Sequence, residues 1–69
     1  MTNEASHRSR AMAFVALRRG RHPEQLGRFT DEQWDRLADE AEVPEATLAE
    51  KAAAVDYLRE LIERGEYHQ

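Results

Sequence analysis

Residues 29–48 read FTDEQWDRLADEAEVPEATL, and this stretch decides the fold class. Thr30 offers a side-chain oxygen to the backbone N–H groups that open a helix, and Gln33 stands three residues on, as a capping box requires. Phe29 and Trp34 flank that start at the spacing of a hydrophobic staple, and Asp31 and Glu32 fall in the first turn, where the helix dipole favours acids. Trp34, Leu37, Ala38 and Ala41 recur three and four apart and so share one inward face. Pro44 disfavours a helical conformation at Val43, so this second helix of the chain is expected over about 31–42.

Working outward toward the C terminus, a third helix is expected from about Glu45 to Arg64, opened at Pro44 or Glu45 and stopped by Gly65. Its apolar stripe is Leu48, Ala52, Val55, Leu58 and Ile62, widened by Leu61, with Glu50, Lys51, Asp56, Glu60 and Glu63 left to solvent. Toward the N terminus, residues from about Ala5 to Arg19 lack Gly and Pro and are rich in good helix formers, and Gly20 is a suitable C-terminal stop. The centre of this first helix, Ala11 to Leu17, is apolar on every side, which makes it a central core helix or a subunit contact. Three alanines and flanking arginines weigh against the alternative of a buried strand. Residues 20–28 carry two of the three glycines and Pro23, and read as a connector with one turn from Pro23 to Gly27. The ends, residues 1–5 and 66–69, have no pattern. The expectation is one all-α domain over residues 1–69, three helices with a helix-turn-helix-like corner between the second and third.

With 69 residues the chain buries only about 60% of the surface its unfolded form exposes. It has no Cys, so neither disulfides nor thiolate zinc can add stability, and helix packing or oligomerisation must supply it. The composition, 41% hydrophobic and 35% charged, is that of a folded water-soluble domain. The apolar run Ala11–Leu17 is far shorter than the roughly 20 residues of a membrane span and lacks a signal-peptide layout, which points to the cytoplasm. Arginine vastly outnumbers the single lysine, Lys51, and alanine is abundant, a bias that suggests a bacterial or phage gene.

Charge is divided along the chain. Residues 1–28 hold Arg8, Arg10, Arg18, Arg19, Arg21 and Arg28 against Glu4 and Glu24, net +4, while the remainder is net −8, giving the overall −4. On one reading the basic helix packs over acidic ones within the chain or across a dimer. On the other, those six arginines form a phosphate-binding arm.

Leu37, Ala38, Ala41, Val43, Thr47 and Leu48, within LADEAEVPEATL, match the structural positions of the helix-turn-helix of LacI-type bacterial repressors, which this segment resembles. The resemblance implies that the small Ala41 lets two helices approach while Val43 and Leu48 plug the angle between them. Glu42 stands where that family usually has Gly, and the implied base-facing positions are Glu45, Ala46 and Glu50. Two acids there would repel phosphate, so the motif indicates a scaffold rather than insertion of this helix into a DNA groove.

His7, His22 and His68 lack the paired spacing of a metal site, and the sequence has neither a glycine-rich phosphate loop nor a nucleophile elbow. No catalysis, cofactor or metal is expected, and a chain this small is not expected to form a ligand pocket or act on a small-molecule substrate. Trp34 is assigned to the core, whereas Tyr57, off the stripe, joins Met12, Phe14, Val15 and Leu17 as a candidate dimer or partner contact. The functional expectation is a small regulatory protein that binds another protein and forms a homodimer. The alternative is a DNA-binding transcriptional regulator that uses the basic N-terminal third.

Overall fold

Capping side chains at the starts of the later helices and backbone turns at the C-terminal ends set the boundaries. In the computed structural model, which describes residues 7–65, these ends delimit α1 (His7–Arg18), α2 (Pro23–Gly27), α3 (Asp31–Glu40) and α4 (Leu48–Glu63). The fold is all-α, with four helices among the described residues where three were expected. The additional helix is the turn from Pro23 to Gly27, stabilised where His22 N–H donates to Gln25 Oε1 at 2.7 Å. The expected start of the first helix at Ala5, the tail from Glu66 and His68 lie outside the described residues.

The capping box at α3 forms as its sequence requires: Gln33 N–H donates to Thr30 Oγ1 at 3.2 Å and Thr30 N–H to Gln33 Oε1 at 2.8 Å. The staple forms too, with the Phe29 and Trp34 rings edge to face at 5.4 Å. A second box, Thr47 with Glu50, opens α4 and corrects the expected start near Glu45. Glu45 has φ 61 and cannot belong to a right-handed helix, so Thr47 is the first residue able to cap one.

The linker 41–47 begins with a left-handed C-terminal cap. Val43 N–H reaches Ala38 O at 2.8 Å and Glu42 N–H reaches Asp39 O at 2.9 Å, with Glu42 at φ 63. These paired bonds are the Schellman arrangement that Gly20 also makes at the end of α1, there with φ 74. Val43, just after the cap, is buried. Leu48 is 82% exposed, so it does not plug the angle between α3 and α4 as the repressor resemblance implies.

All four helices contribute to one core, in which Met12, Leu26, Leu58 and Leu61 are fully enclosed. Ser9 and Arg8 meet Glu50 while Phe14 meets Tyr57, so α1 and α4 ascend side by side in the same direction. Small buried residues, Ser9, Ala13 and Ala16 on α1 and Ala54 on α4, leave room for close approach of the two backbones. This seam turns α4 away from its expected stripe: Ala54, Leu58 and Leu61 are buried, Val55 and Ile62 half-buried, and Leu48 and Ala52 exposed. Trp34 is buried as assigned, with the Lys51 ammonium 5.8 Å from its ring centroid.

Glu42 carries the strain of a left-handed residue with a side chain, and it is exposed. Glu42→Gly is expected to raise stability by about 0.5–1 kcal/mol, after allowing for the freedom glycine adds to the unfolded chain. A rise in the thermal unfolding midpoint, followed by circular dichroism, checks this.

Candidate interaction surface

The six N-terminal arginines do not form one arm. Arg8, at the start of α1, donates Nε to Glu50 Oε2 at 2.9 Å and Nη2 to Pro44 O at 2.7 Å, with a longer contact to Val43 O. Arg19 is ion-paired with Glu40 on α3. Arg10 lies 5.7 Å from the Tyr57 ring centroid and Arg21 lies 5.7 Å from that of Phe29. Arg18 and Arg28 are exposed, and neither has an ion pair among the described residues. Arg8 thus spends its charge within the fold, as the intramolecular reading expects, and is corrected as a candidate for a free phosphate-binding arm, while Arg19 shares its charge with Glu40 but stays exposed.

Glu50 also lies in a place the sequence reading did not give it. It is half-buried rather than solvated, and its carboxylate accepts both Thr47 N–H and the Arg8 guanidinium while its backbone carbonyl accepts Ser9 Oγ at 3.0 Å. The Thr47 N–H holds its carboxyl below the usual glutamate range; burial opposes this, and Arg8 lowers it further. Glu50 lies in the first turn of α4 and Glu45 in the linker before it.

Of the candidate contact residues, Met12 and Val15 are corrected to core positions, being buried, and Leu17 is half-buried. Phe14 remains 42% exposed. Its ring meets Tyr57 edge to face at 5.8 Å, and Arg10 covers the same tyrosine, so one face of α1 and α4 shows two aromatic rings and a guanidinium. Aromatic and arginine side chains of this kind dominate the binding energy of protein interfaces.

Against the expectation that the chain is too small for a pocket, an open cavity of about 330 Å³ lies where the end of α1 meets α3. Arg36, which the sequence reading left unassigned, lines it together with Arg19 and Arg21. The signal in the sequence was the helical spacing of Gln33, Arg36 and Glu40 on one side of α3, but only the fold brings the α1 end against it. Among the described residues no helix is long and apolar enough to cross a membrane.

Comparison with known proteins finds no matching family model, no matching curated protein and no matching solved structure.

Glu50 yields a prediction with a defined sign. Because its folded pKa is lowered, its contribution is complete above the unfolded value, about 4.3, and is lost as pH falls through the folded one. Glu50→Gln is expected to be less stable than the native chain by roughly 1 kcal/mol at pH 7, a modest figure for a partly solvated group. Urea unfolding at a series of pH values should show that difference shrinking below about pH 4.3.

Proposed function

We propose that this chain is a small bacterial or phage regulatory protein that acts by binding another protein and has no catalytic role. The observation that carries this reading is the exposure of Phe14 beside Tyr57 and Arg10 in the middle of α1. A chain of 69 residues without disulfides gains from covering such a surface, which supports self-association as a homodimer through this face. The DNA-binding alternative draws on Arg10, Arg18, Arg21 and Arg28, which remain exposed, but has less charge to use once Arg8 and Arg19 are paired internally. The acids at the start of α4 further reduce its support.

Sedimentation equilibrium on the native chain is expected to give two chains per particle. Phe14→Asp should give one chain with helical circular dichroism retained, because the position is exposed on the monomer. A native monomer, or tight duplex DNA binding that weakens steeply with salt, would count against this proposal.

A further inference from the structure

We propose that the cavity between the end of α1 and α3 binds a phosphomonoester dianion. Three guanidinium groups, Arg19, Arg21 and Arg36, line it against one carboxylate, Glu40. Glu40 is already paired with Arg19, so the lining carries two positive charges in excess. Its hydrogen-bonding groups are also nearly all donors. Guanidinium has no acceptor, and Gln33 has its oxygen fixed on Thr30 N–H by the capping box, which leaves its Nε2 as a donor. A ligand must therefore be rich in acceptors and carry about two negative charges, a description that fits a phosphomonoester better than a carboxylate or a phosphodiester.

The arginines are also held or available. The guanidinium of Arg21 lies over the Phe29 ring, and that ring is fixed in turn by its edge contact with Trp34. Arg36 has no ion pair among the described residues. Phe29 and Leu37 supply an apolar floor on which the organic part of the ester can rest. The volume, about 330 Å³, lies within the range of small-ligand sites.

Isothermal titration of the full chain at constant ionic strength tests this with phenyl phosphate, diphenyl phosphate, benzoate and inorganic phosphate. Phenyl phosphate is expected to bind with one-to-one stoichiometry and roughly tenfold more tightly than the singly charged diphenyl phosphate and benzoate, because only the dianion matches both excess charges. It should also bind more tightly than inorganic phosphate, which lacks a ring for Phe29 and Leu37. Arg36→Ala and Arg21→Ala should each weaken it roughly tenfold with circular dichroism unchanged, while Arg28→Ala, outside the cavity, has no effect. The proposal is overturned by absence of saturable binding, by equal binding of diphenyl phosphate or benzoate, by an equal loss in Arg28→Ala, or by inorganic phosphate binding as well as the ester. Displacement of phenyl phosphate by a short duplex DNA at matched phosphate concentration would assign the cavity to a nucleic-acid backbone and overturn it as well.

Discussion

Glu50 joins three parts of the chain at one point. Its carboxylate closes the first turn of α4 on Thr47 and accepts Arg8 from α1, and its backbone carbonyl accepts the buried Ser9 hydroxyl. Arg8 in turn reaches the carbonyl of Pro44, so the linker between α3 and α4 is tied to the same site. An exposed ion pair would contribute little, but this one shares its groups with a helix cap and a backbone carbonyl, and its members are only partly solvated. This attachment and the small residues beneath it hold the parallel seam of α1 on α4.

That arrangement also explains the division of charge along the chain. Among the described residues, the basic N-terminal third and the acidic remainder meet twice across the fold, Arg8 with Glu50 and Arg19 with Glu40. Of the other basic side chains, Arg10 covers Tyr57 on an aromatic face, and Arg21 and Arg36 converge on the cavity beside Phe29. The proposed partner face and the proposed anion site therefore share no residue. A protein partner covering Phe14 need not occlude a ligand at Arg36, and the two proposals can fail independently.

Local signals were legible in the sequence because they act over three or four residues. Thr30 and Gln33, the Phe29–Trp34 staple and the stops at Gly20 and Gly65 all appear where residue chemistry alone places them. The true start of α4 was marked equally clearly by Thr47 and Glu50, but Pro44 offered a competing start and the repressor resemblance drew Glu50 toward a DNA-reading role. The inward face of α4 was harder to infer. Hydrophobic spacing favoured Leu48 and Ala52, whereas the seam selects the small Ala54, since close approach to Ala13 and Ala16 rewards size over hydrophobicity. The cavity was legible only on its α3 side, in the spacing of Gln33, Arg36 and Glu40, because Arg19 and Arg36 become neighbours only through the packing of α1 on α3.

A double-mutant cycle between Arg8 and Glu50 tests the structural role of this junction most directly. Unfolding free energies for the native chain, Arg8→Ala, Glu50→Ala and the double variant, measured by urea at pH 7, give the coupling between the two side chains. A coupling of about 0.5–1.5 kcal/mol, with each single variant destabilised, is the predicted result. Additive effects with no coupling would contradict it, and would return Arg8 to the set of side chains free to engage a partner.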